Sequence, residues 1–591
     1  MHPHLTPPCA SPFSVPEPGL PPSSRMLVIG LDGGTYDVLV PLAEQGVMPH
    51  VAHLLRHGAL ATLRSTEPTI TPTAWATFQT GAEPVDHGIL DYRRLDHRRR
   101  HVELNDTSHL ACPTLWEALA AAGQTSISLN LPLTYPPRVD GSLLVGGLDA
   151  PSIDAALAPY PAFAQRMRDS GAAYDLAAIW KHRPRNEAEL RAAVAQTEAQ
   201  FASRVVAARV AADLYRDWRL MVVQFQALDA LQHRCWHLLG IDDGPRGPAH
   251  WCAVVRRALT ALDTCVGQLL DLADRQGADV LVVSDHGFGP FREKISLPEL
   301  LARRGLSRLA TRGQRIGYRA ARSGWKLRRW LARARQPAQG TAALVRPLSM
   351  LAPIDWRRSA AVALHGNLAG LVYINTPARF GQGAIRTAGQ YEQALADVTA
   401  AFREARHPAT DEPLFDDAYA VAERYGLDPI DRDWPDVVAI PAAGFHTRPK
   451  FDRGGRLMRP DPDLTGTHRR AGVLIAAGRG VACGAPHAAG LADVAPTILA
   501  RLGVSVPTSM TGRVLEELWS GARPAASARA AHSGGAAGDG GAEGDGGATH
   551  GQITAGRCSA ASPLSRTEAH LPADHDTREV LARLAALGYI E

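Results

Sequence analysis

Apolar runs long enough to cross a bilayer are missing from this chain of 591 residues; nowhere do roughly 18 uninterrupted apolar residues occur. No secretory leader is expected either, because the first 25 residues are rich in Pro and hold no apolar stretch of signal-peptide length. Cysteine is scarce: the seven (Cys9, Cys112, Cys235, Cys252, Cys265, Cys483, Cys558) are scattered, odd in number and never spaced Cys-x-x-Cys. That pattern argues against a disulfide framework and a zinc knuckle. Net charge is nearly absent at +4, which excludes a protein that is basic throughout. These absences predict a soluble, cytoplasmic protein in a reducing compartment, without specific nucleic-acid binding.

What is present is apolar patterning. Hydrophobic residues make up 45% of the chain, enough for a sizeable core. Short buried runs recur: MLVIGLDGG from Met26, SISLNLPL (126–133), LMVVQFQALD (220–229), VLVVSDHG (280–287) and GVLIAAG (472–478). Between them lie segments of helical periodicity, including Pro49 to His57, Leu115 to Ala122, Glu187 to Leu214 and Val254 to Asp274. Strands alternating with helices predict an α/β fold, a mostly parallel sheet flanked by helices on both faces, with ligands beyond the carboxyl ends of the strands.

Two regions interrupt the pattern. Residues 301–336 carry eleven arginines, one lysine and no acid. The stretch has three readings: a solvated helical face, a cap that guides an anionic substrate, or a weak contact with anionic membrane or polyanion. Beyond about Gly521 the composition collapses to Gly, Ala, Ser and Asp, which cannot bury a core. The expected organisation is a disordered leader (1–25), a catalytic α/β domain (26–300 and 351–516), an inserted basic helical or cap region (301–350), a disordered linker (521–574) and a C-terminal helix (575–591).

Metal-ligand types gather at the strand ends. Asp32 follows the first strand, Asp229 and His233 follow the third in D-A-L-Q-H, and the pair Asp285-His286 follows the fourth. His468, in G-T-H-R-R, precedes a strand. A spacing of four puts Asp229 and His233 on one face if the chain is helical there. Three imidazoles and three carboxylates suit zinc or a similar first-row divalent ion.

The ordered set LDGG, TPTAWATFQTG…DHGI, DALQH, SDHG and GTHRRAGVLIAAG resembles the alkaline phosphatase superfamily, most closely its type I phosphodiesterase and nucleotide pyrophosphatase branch. The likeness spans roughly residues 26 to 516. It implies an alkaline-phosphatase-like fold and a metal-dependent hydrolase of small-molecule phosphate esters. It also implies two divalent ions, zinc or else Mn, Fe or Mg. One would be held by Asp229, His233 and His468, the other by Asp32, Asp285 and His286, with Thr71 as the nucleophile beside the second. Coordination lowers the pKa of a hydroxyl, which is how an ordinary threonine becomes an attacking group.

The sequence around Thr71 fits that role. Thr71 reads as an N-cap and Pro72 as the first helical residue, so the amides of Thr73 and Ala74 are expected to face the substrate phosphate. Thr71-Pro72-Thr73-Ala74-Trp75 lacks the Cys or Ser that sulfatases need. Nucleotide pyrophosphatases carry Asn in H-G-I-x-D-N about 21 residues after the threonine, where this chain has Tyr92. A phenol reaches differently from an amide, which leaves nucleotide preference open. His87, in the same motif, reads as structural. The alternatives to a phosphodiesterase are a phosphomonoesterase or phosphonate hydrolase on the same site, or a non-catalytic polyanion- or membrane-binding protein.

Overall fold

The run MLVIGL forms the strand Met26–Leu31, buried along its whole length. Its alternate side chains enter two different cores: Leu27, Ile29 and Leu31 pack on one side of the sheet, Met26 and Val28 on the other. Strand Trp218–Phe225 divides likewise, with Met221, Val223 and Phe225 in the first core and Leu220 and Val222 in the second. A strand apolar on both faces belongs in the middle of a helix-covered sheet.

The computed structural model describes residues 24–519, apart from 99–100, 178–179, 181, 242–246, 311–323, 325–351, 428–432, 453 and 483, together with 574–587. The leader up to residue 23, most of the Arg-rich stretch and the Gly-rich linker lie outside the described residues.

The main sheet has eight strands in the order Gly484–Gly490, Ala59–Arg64, Ala471–Ala477, Asp279–Val283, Met26–Leu31, Trp218–Phe225, Thr125–Leu131, Leu143–Gly146. Only Ala471–Ala477 runs antiparallel to its two neighbours, while the remaining pairings are parallel. The carboxyl ends of the other seven strands therefore share one edge, where an open α/β sheet binds its ligands. Helices Pro49–His57 and Glu187–Leu214 have the bounds that periodicity predicts.

A second, antiparallel sheet, which the sequence did not announce, orders Ala361–His365, Gly370–Ile374, Val437–Pro441 and Phe415–Ala420 beneath helix Ala388–Arg403, around its own apolar cluster. It is tied to the main body through Asp91, whose carboxylate accepts from His365 Nδ1 at 2.9 Å. Near the end of the chain lies a helix, Asp574–Leu587, while residues 588–591 of the helix expected over 575–591 lie outside the described residues. There Val580 and Leu584 are buried, and Arg583 donates to the carbonyls of Leu148 and Ala150 at 2.7 and 2.8 Å.

Candidate functional site

At the carboxyl edge the chain must turn sharply after Leu31, and Asp-Gly-Gly makes the turn. Gly33 sits at φ +69, and a Cβ there would lie 2.7 Å from the ring of Phe288. Its amide donates to Asp285 Oδ1 at 3.1 Å, which draws the tips of two adjacent strands together. Asp229 and His233 stand one turn apart on helix Ala227–Leu239. His468 arrives on the short strand Gly466–Arg469, which pairs antiparallel with Gly287–Pro290 and sets His468 opposite Phe288. Thr71 opens helix Thr71–Thr80.

These seven residues, drawn from positions 32 to 468, converge. Thr71, Asp32, Asp229, Asp285 and His286 have no exposed surface, and His233 and His468 keep only 2% and 8%. Asp229 Oδ1 lies 3.4 Å from His233 Nε2 and 3.3 Å from His468 Nε2. The two imidazole nitrogens are 3.2 Å apart. In the neighbouring group His286 Nε2 lies 3.6 Å from Asp32 Oδ1, 3.3 Å from Asp285 Oδ2 and 3.3 Å from Thr71 Oγ1. The rings of His286 and His468 stack with centroids 3.5 Å apart, so the two groups adjoin.

The protons are assigned by the outer partners. His233 Nδ1 faces the Gly466 carbonyl at 2.9 Å, His286 Nδ1 that of Gly287 at 3.0 Å, and His468 Nδ1 that of Thr69 at 3.3 Å. A carbonyl only accepts, so each Nδ1 carries the proton and each Nε2 turns a lone pair inward. Burial holds the imidazoles neutral: it drives His233 and His468 down to about 3, and His286 well below its ordinary value with the help of neighbouring His468.

Lone pairs facing lone pairs at this range repel unless a cation lies between them. Asp32 Oδ1 and Asp285 Oδ2 are buried with no hydrogen-bond partner. Among the described residues neither carboxylate forms an ion pair with Lys or Arg. Burial, and after it the nearby acids, push both well above the usual carboxylate range: Asp285 and Asp229 act on Asp32, and Asp229 acts on Asp285. A tetrahedral zinc with ligands at about 2.0–2.1 Å holds them about 3.3 Å apart, which is the spacing found in both groups. The donor set fits divalent metal binding.

Around Thr71 the structure corrects two expectations. The N-cap is Ile70, extended at φ −132 and ψ 133, and Thr71 is already the first helical residue, with Pro72 second. The Thr71 hydroxyl is thereby directed at His286 instead of capping an amide of its own helix. The amide of Ala74 is engaged with the Ile70 carbonyl at 2.9 Å, so it does not face a ligand. The amide of Thr73 stays in the open first turn, and its hydroxyl is buried without a partner. Tyr92 is buried, and its phenol is raised well above its ordinary value by burial, then by Asp32, Asp149, Asp229 and Asp285. His87 is structural, with Nε2 on the Thr77 hydroxyl at 2.9 Å and Nδ1 accepting from the Ile89 amide.

Sequence reasoning missed Gln224, whose Nε2 donates to Asp32 Oδ2 at 2.6 Å. It also missed His446, a buried imidazole against the Thr467 hydroxyl with its ring 6.2 Å from that of His233. The signal for Gln224 was a polar residue inside the otherwise apolar run Leu220–Phe225. His446 in F-H-T-R carried no such signal.

Comparisons with known proteins follow the same lines. No curated protein matches the chain. Among solved structures it is similar to human ectonucleotide pyrophosphatase/phosphodiesterase 5, at 13% identity over 84% of this chain and 100% of that one, with a TM-score of 0.46. It is also similar to phosphonoacetate hydrolase from Sinorhizobium meliloti 1021 in complex with phosphonoformate, at 16% identity over 81% and 96%, with a TM-score of 0.49. The profile of the family described as type I phosphodiesterase / nucleotide pyrophosphatase matches residues 26–452. That span takes in six of the seven converging residues and most of the chain, which therefore belongs to the type I phosphodiesterase / nucleotide pyrophosphatase family of phosphate ester hydrolases.

Proposed function

We propose that the chain is a phosphodiesterase in which Thr71 Oγ1 attacks phosphorus in line with the departing alcohol. Asp229, His233 and His468 would hold one divalent cation and Asp32, Asp285 and His286 the other, with zinc the ion best suited to this donor set. Bound there, such ions supply positive charge to the attacking and leaving oxygens and make a hydroxyl acidic enough to react near neutral pH.

The chain's own groups do the rest. The hydroxyl of Thr71 is aimed at His286 and held by a helix whose first residue it is. The open first turn, with the Thr73 amide and hydroxyl, offers donors and the positive end of the helix to the phosphoryl oxygens. Tyr92, where nucleotide pyrophosphatases have Asn, would offer a buried phenol in place of that amide. Burial of the centre keeps bulk water away. The phosphorylated threonine left by the first displacement is then hydrolysed by water, which returns the hydroxyl. A cytoplasmic, reducing location agrees with Cys112, Cys235, Cys252 and Cys265, which are buried and form no disulfide.

The observation that carries this reading is the Thr71 hydroxyl beside His286, where two groups of buried, inward-facing ligand atoms adjoin. Thr71→Ala should remove turnover of bis-p-nitrophenyl phosphate and leave metal content unchanged. Retained turnover would refute the assignment of the nucleophile. Faster turnover of p-nitrophenyl phosphate or a phosphonate by the wild type would replace the diesterase with a monoesterase or phosphonate hydrolase.

A further inference from the structure

A polar chain of three side chains runs through an apolar layer to one ligand of the centre. Strand Trp218–Phe225 sets Gln224 opposite Gly30 of the neighbouring strand. A Cβ at Gly30 would lie 3.0 Å from the Trp75 ring and 3.4 Å from Gln224 Cγ. Its absence lets the Gln224 side chain cross to the next strand tip and donate to Asp32 Oδ2. From the strand on the other side, Asn130 Nδ2 donates to Gln224 Oε1 at 2.8 Å. Asn130, Gln224 and Asp32 have no exposed surface.

The direction of this relay follows from its end. With a cation bound Asp32 is ionised and only accepts, so Gln224 turns its NH2 to Asp32 and its oxygen away. That oxygen needs a donor, and Asn130 supplies it. Asn130 sits at φ 72, a left-handed conformation that Asn tolerates better than most residues. The surrounding layer is Val28, Trp75, Leu220 and Val222. In such a layer a satisfied amide pair adds little that apolar side chains of the same shape would not. What it adds is at Asp32: with Oδ2 occupied, the carboxylate cannot rotate, and Oδ1 remains turned toward His286.

We propose that Gln224, oriented by Asn130, is a positioning residue. It makes Asp32 a one-oxygen ligand and sets the metal affinity of the Asp32, Asp285 and His286 half of the centre. The inference rests on the two-metal reading above.

The test is zinc binding alone, measured by competition with a chromophoric chelator on metal-stripped full-length protein. Wild type should take two equivalents. Gln224→Met, which keeps length and loses the donor, should weaken one equivalent about 10–100-fold and leave the other unchanged. Asn130→Gly, which tolerates the left-handed backbone, should weaken the same equivalent by less, and it keeps the test intact if Gln224→Met does not fold. A purely structural role would disturb both equivalents together. Unchanged binding of both, or equal weakening of both, overturns the positioning role while the metal reading stands. A wild type that binds no zinc overturns the metal reading, and this inference with it.

Discussion

Stripping the metals should cost the fold stability, and the loss should depend on pH in a direction that the site dictates. Asp32 and Asp285 are raised well above their ordinary value by burial and by neighbouring acids. In chelator each therefore binds its proton more tightly folded than unfolded. Its contribution to stability is complete below the unfolded value near 3.8 and is lost as pH rises through the raised folded one. A cation needs the same carboxylates without protons, so it binds better as pH rises. The imidazoles do not compete, because His233 and His468 sit at about 3. The gap in stability between loaded and stripped protein should thus be wide at about pH 8 and narrow toward about pH 5. For its size, free zinc at 100 times Kd stabilises by about 2.7 kcal/mol per site. At roughly 2 cal/mol/K per residue, a folded body of roughly 500 residues unfolds with about 1 kcal/mol/K, so two sites should move Tm by about 5 °C. Differential scanning calorimetry with zinc or with chelator, at both pH values, measures the gap. A Tm indifferent to chelator at the higher pH, or a gap that widens on acidification, would refute the reasoning.

Two further outcomes follow from local geometry. Gly33→Ala places a Cβ 2.7 Å from Phe288 at φ +69; backbone strain of about 1–2 kcal/mol and overpacking of about 1–3 kcal/mol should lower the urea midpoint, and an unchanged midpoint would contradict the close approach. Arg583→Met removes the two bonds to the carbonyls of Leu148 and Ala150; at about 1.5–3 kcal/mol per charged hydrogen bond, limited proteolysis should release the C-terminal helix sooner while urea unfolding of the remainder barely moves.

Much of the fold was legible because the central strands of the main sheet are apolar on both faces, and the first runs straight into Asp32. Such runs read as strands without any knowledge of their neighbours. Strand Ala59–Arg64, with the burial of its residues alternating toward its end, and strand Gly484–Gly490, rich in Gly and Ala, were not read. Each takes its place from pairing with a distant partner, Ala471–Ala477 for the first and Ala59–Arg64 for the second. The second sheet was hidden for the same reason. Its middle pairing joins residues as far apart as Gly370 and Ala439, and short strands set by such pairing carry little local signal. At the cap of the Thr71 helix, Thr-Pro suggested a boundary one residue late. The hydroxyl that reads as a cap is turned instead toward His286.

The candidate ligands were visible for a different reason from the residues that serve them. Asp and His at a strand tip are chemically conspicuous, and their number near one sheet edge cannot be explained by packing. Gln224 is conspicuous only once it is known that Gly30 stands beside it and Asp32 beyond. The same contrast appears in the energetics. Two apolar cores flank the sheet, and between them the centre buries three carboxylates and three proton-stripped nitrogens in a space that an apolar fold would fill more stably. Such a concentration of buried carboxylates and neutral imidazoles is a local liability in the bare chain and becomes an asset only around positive charge. The bonds that keep it in shape without that charge come from outside the ligand set: three backbone carbonyls orient the imidazoles, the Gly33 amide holds Asp285, and Gln224 holds Asp32. Preorganisation of this kind, built from neutral donors and acceptors, means that binding a cation requires little rearrangement.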